Sequence, residues 1–205
     1  MAKLTTWMTL DEIEAMEQRM RVLMAEARST AGREQARQFT RQPASALADV
    51  LRREHVSHEL LPHRHTETAV AEAEALKVDP DQVGKTLILE TPVGFARAVL
   101  RAVDRLDLEK ARRALGTPDV QLADEIELVG AYPEFELGAV PPIGGPSDRV
   151  LVDKRVFDNP FVVFEAGTHD ESVRLRTGEL LSIAEAEVAD LAEDDLGVQH
   201  RPLVE

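Results

Sequence analysis

Cysteine is absent from all 205 residues. Disulfides, thiolate metal sites and cysteine nucleophiles are therefore excluded together, and a reducing compartment fits the composition. Long apolar runs are missing too. The opening stretch MAKLTTWMTLDEIEAMEQRM meets acidic residues before any run long enough for a secretory signal, and no window approaches the roughly 20 apolar residues that span a bilayer. We expect a cytoplasmic protein with no membrane contact. The familiar cofactor and nucleophile signatures are also lacking: there is no Walker loop, dinucleotide glycine fingerprint, HExxH or serine in a nucleophile elbow. No repeat at a solenoid period occurs.

Acidic charge is what the chain has in excess, with a formal net charge of -14. Residues 1–45 hold seven Lys/Arg against six Asp/Glu, and the other 160 residues hold 17 against 32. Binding to bulk duplex DNA is excluded on that distribution, because phosphate contacts need local cations. A grip on one short single-stranded end needs only a few cations in a cleft.

Thr9 stands three residues before Glu12, the capping-box spacing, and predicts an N-terminal helix. Its apolar positions Ile13, Met16, Met20, Leu23 and Ala27 make a narrow seam. That seam either folds back on its own domain or meets a partner, a second copy included. A polar link over 29–42 leads to a short helix over Pro43–Arg53, with a domain boundary near residue 45. From His55 onward, short apolar or alternating runs interleave with helix signals, an α+β pattern with a mixed sheet. Strands are predicted at Val56–Leu61, Thr86–Glu90, Phe95–Val103, Val120–Ala123, Val150–Asp153, Phe161–Glu165 and Ser172–Arg176. Helices are predicted over Thr66–Lys77, after Asp107 as far as Gly116, over Asp124–Val129 and over Ser182–Leu191. Between Gly130 and Asp148 lies the longest irregular stretch, AYPEFELGAVPPIGGPSD, whose prolines and glycines fix backbone shape. The acidic tail over 193–205 reads as frayed.

His58, His63 and His65 lie close together in sequence and offer imidazole nitrogens, but Pro62 breaks the strand just before the last two. A polar strand end fits them better than a metal site, and no metal or other cofactor is expected. Glu134 and Glu136 have the spacing of a carboxylate pair, in a chain where acids are abundant.

A more specific constellation runs through the sequence in order. Thr66-Glu67-Thr68-Ala69 is followed by Ala71-Glu72-Ala73-Glu74-Ala75-Leu76, by Asp79-Pro80-Asp81-Gln82-Val83 and by Lys85-Thr86-Leu87. Gly130, then Gly138-Ala139-Val140-Pro141-Pro142-Ile143-Gly144, Val150-Leu151-Val152-Asp153 and Ala166-Gly167-Thr168-His169 complete it. Over roughly residues 46–182 the chain resembles the YbaK/ProX-type aminoacyl-tRNA deacylases, which are related to the editing insertion of bacterial prolyl-tRNA synthetases. The resemblance implies a mixed, barrel-like β-sheet surrounded by helices, here with a helical extension over 1–45, an editing domain over 46–192 and the tail over 193–205.

It also implies trans-editing: hydrolysis of a mischarged aminoacyl ester by water, with the vicinal hydroxyl of the tRNA helping to activate it. Lys85 matches the family's essential lysine, where an ammonium can hold a phosphate of the 3′ end or steady charge on the ester carbonyl; otherwise it is a surface lysine in an ion pair. The Gly138–Ala139 backbone matches the glycine-rich loop whose N–H groups face the developing oxyanion. Ala139 replaces the usual second glycine, and Glu134-Phe135-Glu136-Leu137 is more acidic than in better-known members. Thr66, Glu136, Pro142, Thr168 and His169 are the implied substrate-binding residues. Glu136 reads the substrate ammonium or decorates the rim, and His169 orients water or closes a turn with Thr168. The implied partners are the 3′ end of an aminoacyl-tRNA, a synthetase, and a second copy through the N-terminal helix. A non-catalytic module of the same fold that binds a tRNA end or a synthetase is the alternative.

Overall fold

The structure, a computed structural model, describes residues 42–194. The N-terminal helix with its apolar seam and nearly all of the acidic tail lie outside those residues.

Short polar side chains set the helix ends. Helix α1 spans Gln42–Arg53 and strand β1 spans His58–Pro62. Helix α2 (Ala69–Leu76) begins where the Thr68 side chain accepts the Ala71 N–H, and ends at Lys77, whose left-handed φ of 57° lets its N–H reach back to the last carbonyls. Asp79 caps a 3-10 turn over Pro80–Gln82, followed by β2 (Gly84–Thr91) and β3 (Gly94–Arg101). Asp107 accepts the N–H groups of Glu109 and Lys110 to start α3 (Leu108–Leu115), which Gly116 ends at φ 74°. After β4 (Gln121–Leu122), a complete capping box between Asp124 and Glu127 starts α4 (Glu125–Ala131). Then come β5 (Arg149–Asp153), a 3-10 turn (Lys154–Asp158), β6 (Phe161–Thr168), β7 (Glu171–Arg176), α5 (Thr177–Ile183) and β8 (Glu187–Ala189).

The expected barrel-like sheet is instead two sheets. One has the order β1-β7-β6 and is antiparallel throughout; the other has the order β4-β2-β3-β5-β8, with β3-β5 and β5-β8 parallel. Among the described residues a single parallel bridge, between Val83 and Val163, links them, so these strands do not close into a barrel. The helix expected over Ser182–Leu191 is also replaced. Glu185 takes a left-handed φ of 47° after α5. Val188 then pairs with Val152, and the buried Asp153 carboxylate accepts the Leu191 and Ala192 N–H groups, which ties this backbone to the sheet.

Side-chain alternation along the strands sorts the core into layers. On β3, Ala96, Ala98 and Leu100 pack with Leu89, Leu151, Leu191 and Ala111 of α3. Val99, from the opposite face of the same strand, packs with Val162, Phe164, Val173 and Leu175 of the smaller sheet and with Leu47, Leu51 and Leu180 of α1 and α5. The smaller sheet turns Val163 outward against Ala73 of α2. In order, the layers are α3, the five-stranded sheet, the three-stranded sheet and α2. Gly84 sits at the seam between the sheets: a Cβ there would meet Val162 Cγ2 at 3.1 Å. Apart from Gln42, all described residues belong to one compact unit. Among them no helix is long and apolar enough to cross a membrane.

Candidate functional site

The loop after α4 returns to the end of β6 because its backbone bonds there. Glu136 N–H donates to Gly167 O at 3.0 Å, and the Glu136 carboxylate accepts the His169 N–H at 2.7 Å. This brings the Gly138 loop onto the β6–β7 turn. Gly138 is exposed at φ 91°, and a Cβ on it would meet His169 Cε1 at 3.3 Å, so the ring approaches where a side chain would stand.

His169 has both ring nitrogens on oxygen acceptors, Glu165 Oε1 at 2.9 Å and the Leu137 carbonyl at 2.8 Å. Neither partner donates, so both nitrogens carry protons. The bond to Glu165, against the opposing effect of burial, pushes the imidazole up to about 9. His169 is thus a cation at neutral pH, with no lone pair left to orient water. The His65 ring meets it edge-on, at 5.3 Å between centroids. Thr66 lies beside them, its N–H on His169 O at 3.0 Å, and its buried Oγ1 has no hydrogen-bond partner among the described residues. Thr168 Oγ1 donates to Asp170 at 2.8 Å and closes the turn.

Thr66, Glu136, Gly138, Thr168 and His169 are therefore gathered in one place. Ala139 adjoins them, but its N–H is already donated to Glu136 O at 2.9 Å and the residue is buried. Of the two backbone donors expected for an oxyanion, Gly138 N–H is the one left without a partner among the described residues. Pro142 lines a neighbouring cleft of about 480 Å³ with Arg97, Gly144, Gly145 and Asp148.

Lys85 shares its face of β2 with Leu87 and Leu89, away from the face that carries Ile88. Its ammonium donates to the carbonyls of Ala102 at 3.0 Å and Asp104 at 2.6 Å, and burial lowers its pKa. Arg101 and Arg155 meet the Asp104 carboxylate, so three cations surround this one turn. The Val83–Val163 bridge starts β2 alongside β6, two residues before Glu165. Lys85 and Glu165 thus leave the same junction of the two sheets, although none of the hydrogen bonds of Lys85 runs to the Gly138 loop.

Two networks escaped the sequence reading. Arg97, 1% exposed, donates to Asp148 Oδ2 at 3.0 Å, Pro141 O at 2.8 Å and Pro146 O at 3.1 Å. Tyr132 donates to the same Asp148 oxygen at 2.8 Å and lies under the guanidinium. Together they clamp the Pro141–Pro146 turn. The signal available was an arginine inside the apolar strand FARAVL. The second network is Glu72, Ser172 and His63, joined across α2, β7 and the segment after β1. His58 bonds locally to Val56 O, and among the described residues no group of three or more His, Asp or Glu is gathered to hold a metal ion.

The crystal structure of a proposed trans-editing enzyme for prolyl-tRNA synthetase is similar to the chain at 29% identity with a TM-score of 0.65, over 74% of this chain and 98% of the other. A scaffold protein from a study of computational epitope grafting gives the same identity and TM-score, over 74% and 97%. A hypothetical protein of solved structure gives 25% and 0.67, over 72% and 99%. The sequence profile of the aminoacyl-tRNA editing domain matches residues 63–183, a span that holds both the Gly138 loop and the His169 turn. The chain belongs to the aminoacyl-tRNA editing domain family.

Proposed function

We propose that the chain is a trans-acting deacylase that hydrolyses the ester of a mischarged aminoacyl-tRNA. One observation carries this reading: a side-chain-free Gly138, whose N–H has no partner among the described residues, is held against the cationic ring of His169. An ester carbonyl placed there meets one backbone donor and one fixed positive charge, both preorganised for the oxyanion that water attack creates. Glu136, whose second carboxylate oxygen remains for the substrate, holds the α-ammonium. Thr66 and Pro142 line the approach, and Thr168 shapes the turn beneath it. Lys85, with Arg101 and Arg155, takes phosphates of the 3′ end. In this reading residues 46–192 are the editing domain, residues 1–45 supply a contact to a synthetase or a second copy, and residues 193–205 are a tail.

The test is release of amino acid from a panel of mischarged tRNAs under multiple-turnover conditions. Wild type is expected to clear one or a few esters, and His169→Ala to lose about 10²–10³-fold in kcat, the cost of one oxyanion-stabilising group. Lys85→Ala is expected to raise KM. A wild-type rate equal to buffer on every ester sinks the reading. One observation favours the alternative of a non-catalytic binding module: the Ala139 N–H is committed to Glu136 O, which leaves a single loop donor. Such a module saturates with tRNA and never turns over.

A further inference from the structure

Glu72 is 1% exposed and Ser172 is fully buried. Ser172 Oγ lies 2.6 Å from Glu72 Oε1 and 2.8 Å from His63 Nε2, while His63 Nδ1 lies 2.8 Å from the Arg64 carbonyl. This is no Ser–His–acid triad: acid and imidazole both sit on the serine, which solvent does not reach.

Counting protons along the chain fixes its charge. Arg64 O only accepts, so His63 Nδ1 carries a proton. Two hydrogen bonds meet at Ser172 Oγ, and the hydroxyl can donate only one of them. The other proton must come from a neighbour. Either Glu72 is a carboxylic acid that donates to Ser172 while Ser172 donates to His63 Nε2, or His63 is an imidazolium that donates to Ser172 while Ser172 donates to a Glu72 carboxylate. One form becomes the other when the Glu72 proton passes to Ser172 and the Ser172 proton passes to Nε2. Both hold one proton more than a carboxylate facing a neutral imidazole, a state that must break one of the three bonds.

The segment carrying His63 is a strap. His63 N–H donates to Asp170 O at 2.9 Å and Thr66 N–H to His169 O at 3.0 Å. Between them His65 sets its ring on His169. We infer that Glu72, Ser172 and His63 form a site, buried at Glu72 and Ser172, that stores one proton and thereby fastens the 63–66 strap to the β6–β7 turn, making Glu72 a positioning residue for the candidate site. The positioning part rests on the proposed function above; the stored proton does not.

The groups facing Glu72 agree. Glu165 of β6 repels its charge, His169 of the turn attracts it, and Ser172 of β7 bonds to it; burial outweighs them and pushes the carboxyl up to about 8.

The test follows the Glu72 carboxyl carbon and the His63 ring nitrogens by NMR from pH 5 to 10, together with amide-exchange protection factors of His63 and Thr66. In wild type the two side chains are expected to titrate with one shared midpoint, and protection at both amides to fall at least tenfold across it. Glu72→Gln, whose amide donates to Ser172 as the acid does, should keep that protection across the pH at which wild type loses it, up to the step of His169, and abolish the midpoint. Ser172→Ala should separate His63 from Glu72 by a unit or more and lower protection at every pH. Separate midpoints in wild type, or protection unchanged across the midpoint, overturns the inference whether or not Ser172→Ala folds. These readouts need no turnover, so they stand apart from the deacylation assay; a dead enzyme with a shared midpoint refutes only the proposed function.

Discussion

Around Arg97 the five-stranded sheet buries a charge that cannot be discharged, whereas around Glu72 the three-stranded sheet buries one that can. The guanidinium meets its cost of burial with a fork of donors on Asp148, Pro141 and Pro146, the same at every working pH. The carboxyl meets it with the proton stored between itself and His63. Each network fastens one segment: Arg97 the Pro141–Pro146 turn, Glu72 the 63–66 strap. Buried polarity is thus handled by geometry on one sheet and by titration on the other, so only the second should follow pH.

The largest expected effect is on the permanent side. Arg97→Leu leaves the Asp148 carboxylate and two carbonyls without their cation, a loss of about 3–5 kcal/mol by analogy with other broken buried pairs. Urea unfolding with an unchanged m-value checks it, and a loss below about 1 kcal/mol would mean the clamp relaxes at little cost. On the titratable side, the sign follows from both shifts. Glu72 rises from 4.5 to about 8 and His169 from 6.5 to about 9. The folded state therefore binds more protons than the unfolded chain between about pH 4.5 and 9. Stability from Glu72 is complete below 4.5 and lost as pH rises through 8; that from His169 is complete below 6.5 and lost through 9. Together they predict a decline of several kcal/mol over this window, with about 8 kcal/mol as its upper bound, shallower in Glu72→Gln and measurable by urea unfolding at a series of pH values.

Smaller substitutions sharpen the contrast. Tyr132→Phe removes one donor from Asp148 while Arg97 still covers it, so about 1 kcal/mol is expected at any pH. Thr68→Ala removes the cap of the helix that carries Glu72; about 0.5–1 kcal/mol should appear in thermal melts, with no change in the pH window.

Most elements were legible because local chemistry decides them. Asp107, Asp124 and Gly116 mark helix ends that the structure repeats, and the strands from β2 to β7 stand close to their predicted places. Residues 182–191 misled because their Ala and Glu content favours helix, while the pairing with β5 that overrides it is a tertiary event. The two-sheet arrangement was likewise invisible, since one bridge at Val83 decides it. At the site, Thr66, Glu136, Gly138 and His169 were named through the family resemblance, and hydrogen bonds between the Gly138 loop and the β6–β7 turn bring the four together. The commitments of individual donors were not legible: whether Ala139 N–H is free, or where the Lys85 ammonium turns, depends on hydrogen bonds a few ångströms long. Glu72 was hidden by its helix, where a glutamate beside Ala73 in an alanine-rich run looks like a solvated face.

The order of the strands also sets a clock. β1 pairs with β7, and Ser172 lies 100 residues beyond Glu72 in the chain. At a synthesis rate of about 5–20 residues per second, Glu72 waits about 5–20 s for its partner. During that wait it is an ordinary, ionised, hydrated carboxylate. The three-stranded sheet assembles only when β7 emerges, and closing it takes a proton from the solvent, so a nascent chain that folds at neutral pH makes its surroundings slightly more alkaline as α2 docks.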